Sequence, residues 1–236
     1  MLSNKLIKET INGELEDDFQ LFQFKAQAND KDSILKYRKK FRSGFQSCIF
    51  TISSFPVAQN SNKTNSLEKE KTTVQEFWIE MSIGVRIDTV ERIANQFTLI
   101  LEDYYDETHT ILTSYGRMTD DRYFRFKVQD EAQLKLACQK MSTFLQSTGF
   151  QFLNNHSSVY SLDKLINNYP EKPSKFIYNQ SYRCIKGIIL ASLAQNPHFN
   201  TLTKAYHFIL QKQSLADRIT PKYSKLVAHL KVYSVN

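Results

Sequence analysis

Five charged residues crowd one short stretch: Arg117, Asp120, Asp121, Arg122 and Arg125. Guanidinium groups beside carboxylates can orient and polarise a bound carbonyl or phosphate. Arg117, Arg122, Arg125 and His109 are the natural candidates for an active site assembled from dispersed residues. The same residue types also make an ordinary mixed surface of weak, exposed ion pairs, which is their commoner use. The expectation is therefore no catalytic set, and an enzyme stands third behind two binding readings.

Local catalytic signatures are missing. The chain has six glycines, and none forms GxGxxG or GxxxxGK. There is no GxSxG, no HExxH and no paired-cysteine motif. His109, His156, His198, His207 and His229 lack ligand spacing within any one element, so neither a metal nor another cofactor is expected. Glu102, Asp103, Asp106 and Glu107 cluster around Tyr104 and Tyr105. A calcium loop needs more oxygen ligands at regular spacing and a turn glycine. That cluster reads as a solvated loop, as an acidic partner patch with tyrosines, or as an internal dock for a basic region.

The basic region is the C-terminal third. Residues 154–236 hold 11 Lys/Arg against Asp163, Glu171 and Asp217, whereas residues 72–153 hold more acids than bases. The formal net charge of +7 is thus concentrated at one end. On a helix predicted from Ser174, Lys175, Asn179, Tyr182 and Lys186 share a stripe, with Arg183 beside it. Lys204, His207 and Gln211 share a face of the next helix, and Lys222, Lys225 and His229 a face of the last. Such faces suit phosphates or an acidic protein. Outer helix faces are normally charged, but that does not explain the scarcity of acids here.

The favoured reading is a non-catalytic protein-binding module, of adaptor, chaperone-like or toxin-neutralising type, with an acidic-surfaced protein as partner. The alternative is a nucleic-acid-binding protein whose C-terminal helices contact phosphates. Against that alternative, no DNA- or RNA-binding signature appears, and the cations are mainly Lys rather than base-reading Arg.

The elements that position these residues follow from periodicity. Leu2, Leu6, Ile7 and Ile11 predict an opening helix that Gly13 stops. Phe19–Ala28 reads as a strand with Leu21 inward, and Asp32 or Ser33 as the start of a turn or short helix through Tyr37 and Phe41. Phe45–Phe55 and Glu76–Ile87 read as strands. Between them, residues 58–71 (AQNSNKTNSLEKEK) read as an exposed, mobile loop.

Asp88, with Glu91 three residues on, predicts a capped helix with Val90, Ile93, Ala94, Phe97 and Ile100 inward. His109–Tyr115 and Tyr123–Val128 read as a hairpin. Asp130 caps a helix that Gly149 ends, and Thr220-Pro221 opens the last helix.

The fold class that results is α+β: an antiparallel sheet of about five strands with helices on one face, then an all-helical C-terminal third. A sheet domain over 1–153 and a basic helical region over 154–236 are expected. The sheet is either a ferredoxin-like split unit within 74–153 or a single five-stranded sheet with the N-terminal strands included. The second order is similar to that of bacterial secretion chaperones in element order alone.

Cys48, Cys138 and Cys184 are odd in number and far apart, which predicts buried thiols in a reducing compartment. The opening apolar run is too short for a signal peptide, and no stretch is long and apolar enough for a membrane span. The expected location is the cytoplasm.

Overall fold

The computed structural model describes residues 2–28, 31–60, 71–214 and 216–233. The fold is α+β, with an antiparallel sheet and a helical C-terminal part, as the element order predicts. Helices α1 (Asn4–Glu14) and α2 (Glu16–Leu21) precede strands β1 (Lys25–Ala26), β2 (Ile34–Phe41), β3 (Gly44–Asn60) and β4 (Lys71–Ile87). Helix α3 (Asp88–Phe97) and a 3-10 turn (Glu102–Glu107) follow, then β5 (Ile111–Ser114), α4 (Tyr115–Met118) and β6 (Phe126–Val128). The rest is helical: α5 (Glu131–Phe144), a π turn (Leu145–Gly149), α6 (Phe150–Asn155), α7 (Val159–Asn167), α8 (Gln180–Leu193), α9 (Phe199–Gln211) and α10 (Ala216–Tyr233).

The strands join in one six-stranded sheet, ordered β1-β2-β3-β4-β5, with β6 also paired to β4. The N-terminal strands therefore belong to the sheet. β5 and β6 do not form the expected hairpin: each pairs with the 17-residue β4. β6 runs antiparallel to it, with Trp78 opposite Lys127. A strand this long offers an edge for two short strands, and α4 turns the chain between them. Along β4 the odd residues from Phe77 to Ile87 are buried, the period of two expected of a strand.

Three N-terminal expectations are corrected. Of the segment read as a strand over Phe19–Ala28, residues 19–21 end α2 and only Lys25–Ala26 is strand. Glu16, Asp17 and Asp18 fill the first turn of α2, where the helix dipole favours carboxylates. Phe19 then faces the core, and Leu21 is 74% exposed rather than inward. The turn or short helix expected after Asp32 is strand β2, with Leu35 and Tyr37 buried on one face. Of the loop expected at 58–71, residues 58–60 belong to β3 and Lys71 to β4, while 61–70 lie outside the described residues.

The chain divides into two compact units whose segments alternate along the sequence. The first comprises residues 1–39, 47–82 and 114–150. Its core has Phe19 stacked on Tyr37 at 3.8 Å between ring centroids, with Phe50 and Phe150 edge-on to Phe19. Asp130 caps α5 by accepting from the Gln133 N–H at 2.8 Å, as its spacing predicts. Gly149 does not end that helix; the chain continues through the π turn into α6.

The second unit comprises residues 40–46, 83–113 and 151–236. α8 is its central element, and Cys184 to Ala191 are buried all round. Gly187 sits where α8 passes closest to its neighbours. A Cβ there would lie 2.8 Å from Asn167 Oδ1 of α7 and from the Tyr206 ring of α9, so only glycine permits the approach. The last helix starts at Ala216, ahead of Thr220-Pro221, so Pro221 lies inside it. Tyr223, Leu226, Val227 and Leu230 line its buried face. No helix among the described residues is long and apolar enough to cross a membrane.

Candidate functional site

The basic residues of the second unit separate into two groups. Arg183, Lys186 and Lys222 are committed to internal acceptors. Arg183 and Lys186, expected on an outer face, are 2% and 5% exposed. The predicted stripe fails because α8 begins at Gln180, with Asn179 as its cap, and is enclosed by its neighbours rather than presenting one open face.

Arg183 is the main polar anchor of this core. Its Nη2 donates to the carbonyls of Ile166 at 3.1 Å and Tyr169 at 2.8 Å. Nη1 donates to Pro170 at 3.1 Å and to Lys172. The guanidinium therefore serves carbonyls at and beyond the C-terminal end of α7, of which Tyr169 O also accepts from the Lys172 N–H at 3.1 Å. Lys186 donates to the His109 carbonyl and lies 3.1 Å from Glu91 Oε2. Glu91, expected as part of a capping box, is instead fully buried on α3. The pair is an ionic contact by distance but is not aligned as a hydrogen bond, and neither Glu91 oxygen has a donor among the described residues. Lys222 Nζ donates to the Thr98 carbonyl at 2.8 Å, just past the end of α3.

The second group is open to solvent. Lys175 is exposed in a segment whose backbone meets β5, where Phe176 O accepts from the Leu112 N–H at 2.9 Å. Tyr182 is half-buried in the first turn of α8. Lys204 on α9 and Lys225 on α10 are exposed.

Lys204 lies on a groove between α9 and α10, a cavity of about 350 Å³. Thr203, His207 and Phe208 form its α9 wall, and Tyr223, Ser224 and Val227 its α10 wall. The Tyr223 hydroxyl donates to the Thr203 carbonyl at 3.2 Å, which ties the two helices at the floor. Phe208 is 58% exposed, with the Lys212 ammonium 3.9 Å from its ring centroid. Sequence periodicity placed Lys204 and His207 on this face. It could not find Phe208, because an aromatic at helical spacing reads as core.

The acidic segment is a separate surface. Glu102, Asp103, Tyr104, Asp106 and Glu107 are exposed on the 3-10 turn, beside an exposed Leu101. Tyr105 is half-buried, and its hydroxyl donates to the Asn95 carbonyl at 3.0 Å. The arginine-rich stretch is a mixed surface: Arg125 pairs with Glu80 at 2.6 Å, and the Arg122 guanidinium lies 5.4 Å from the Tyr123 ring. His109 belongs to the other unit, its ring edge-on to Phe45.

No family model, curated protein or solved structure matches this chain.

Its chemistry is therefore read from geometry alone. Among the described residues no three His, Cys, Asp or Glu side chains gather as metal ligands. The three thiols are free and buried, and burial pushes Cys138 and Cys184 up to about 12 and Cys48 higher still. Neutral thiols are poor nucleophiles.

Proposed function

We propose that this chain is a non-catalytic protein-binding module, and that its α9–α10 groove receives an acidic segment of a partner protein bearing an apolar anchor. The observation that carries this reading is Phe208, a large aromatic left 58% exposed on an apolar groove with Lys204 and Lys212 beside it. A solvated aromatic at the lip of an apolar cleft is the kind of feature that supplies most of an interface's energy once covered. The lysines and the scarcity of acids in residues 154–236 favour a partner of negative charge. A helix or extended strand laid in the groove would place its apolar side chain against Tyr223 and Val227 and its carboxylates toward the lysines.

Phosphate tracking is the weaker reading, because Arg183, Lys186 and Lys222 are spent on internal carbonyls and Glu91. The test is selection of displayed peptides on the full-length protein at physiological salt. Peptides combining Asp/Glu with an aromatic or aliphatic anchor are expected to be enriched. Their affinity should fall about 30-fold in Phe208→Ala, on the order of 2 kcal/mol. Selection without acidic enrichment, or affinity indifferent to Phe208→Ala and Lys204→Glu, would overturn the reading. Binding to mixed single- and double-stranded DNA that falls steeply with salt and is lost in Lys204→Glu would replace it with the nucleic-acid alternative.

A further inference from the structure

A second cavity, of about 620 Å³, lies in the same unit between α3 and the Glu102–Glu107 turn. The α3 wall carries Thr89, Arg92 and Gln96, spaced three and four apart and so on one helix face. The opposite wall carries Tyr105 and Asp106. Arg86 and Asp88 stand at one end and satisfy each other, with Arg86 Nε 2.7 Å from Asp88 Oδ1. Arg86 is further held by Nη1, which donates to Tyr105 O at 2.6 Å and to Thr108 O at 2.9 Å.

The remaining two charges behave differently. Arg92 and Asp106 line one cavity, are both exposed, and neither has an ion-pair partner among the described residues. Opposite charges on a surface usually close on each other when their side chains can meet. Here the helix and the turn hold them on separate walls. Asn95 is also among the lining residues, is 5% exposed, and its Oδ1 is buried with no donor among the described residues.

We infer that this cavity binds a small zwitterion, an amino acid or short peptide whose carboxylate meets Arg92 and whose ammonium meets Asp106. One ligand then supplies the charge complement that the two walls cannot give each other. The cavity is larger than one amino acid needs, which favours a ligand with separated ends, such as a dipeptide. Gln96 and Thr89 add hydrogen-bonding groups along the same wall. The inference does not depend on the α9–α10 groove.

Nuclear magnetic resonance titration of the full-length protein with amino acids and dipeptides tests it. The controls are the same compounds N-acetylated, to remove the cation, or C-amidated, to remove the anion. Zwitterions are expected to shift the amides of α3 and of the 3-10 turn, and each blocked form to bind at least about tenfold more weakly, the size of one lost charge-assisted contact. Arg92→Gln should abolish the preference for a free carboxylate, and Asp106→Asn the preference for a free ammonium. Both sites are exposed, so these variants are expected to keep the native spectrum elsewhere. No shift at millimolar ligand, or equal binding of blocked and free forms, would overturn the inference.

Discussion

Nζ of Lys186 lies 3.1 Å from Oε2 of Glu91, and both side chains are almost wholly shut from solvent. The lysine also donates to the His109 carbonyl, so one ammonium joins α8 to α3 and to the segment before β5. Removing one partner leaves a buried charge with no counterpart, which costs about 3–5 kcal/mol. Lys186→Met should therefore destabilise the protein by that order in urea denaturation. The double variant Glu91→Leu with Lys186→Met should recover most of the loss, because a packed apolar pair removes both desolvation penalties. A double variant no more stable than the single one would mean that the lysine acts mainly through the His109 carbonyl.

Arg183 gives a sharper test of shape against charge. Its planar fork reaches four carbonyls, those of Ile166, Tyr169, Pro170 and Lys172. A lysine keeps the charge but not the fork. Arg183→Lys is expected to cost about 3 kcal/mol, from two or more charge-assisted hydrogen bonds lost in a buried site. Equal stability of Arg183→Lys and the wild type would show that charge alone suffices there.

Buried thiols and phenols set the alkaline limit. Burial raises Cys48, Cys138 and Cys184, and also Tyr37, Tyr206 and Tyr223, above their ordinary values. Each group keeps its proton in the folded state at pH values where the unfolded chain has lost it. The unfolded state therefore binds fewer protons above about pH 9, and stability falls as pH rises from there toward the folded-state values. Denaturation midpoints should be unaffected by these groups below pH 8 and drop steadily above pH 9. The thiols should react with an aromatic disulfide reagent only on unfolding, and fast native-state labelling at pH 8 would contradict their burial.

How much of this was legible beforehand depended on whether a signal was local. Asp130 as a cap and the alternation in β4 are written in a few consecutive residues, and both hold. The partner of β6 is a tertiary choice: only the length of β4 decides that β5 and β6 lie on it rather than on each other. The fates of Arg183 and Lys186 were hidden for a similar reason. Helical spacing shows that residues share a face, but whether that face meets solvent depends on how many neighbours enclose the helix. Phe208 is the converse, an aromatic at core-like spacing left 58% exposed. Arg92 and Asp106 come from elements whose approach no pattern in the chain announces.

Two lysines on neighbouring helices separate structure from function. Lys222 is half-buried and donates to the Thr98 carbonyl at 2.8 Å, while Lys204 is exposed at the groove. Lys222→Met should lower stability by about 1 kcal/mol, one hydrogen bond to an orphan carbonyl past a helix end, and leave peptide affinity unchanged. Lys204→Glu should do the reverse. Its stability should stay within about 0.5 kcal/mol of wild type, since the side chain is solvated, while acidic-peptide affinity falls about tenfold or more from reversal of one interfacial charge. Both variants belong in the same denaturation and titration series. If Lys222→Met weakened peptide binding as much as Lys204→Glu did, the positive charge of α10 would have to be counted as part of the binding surface.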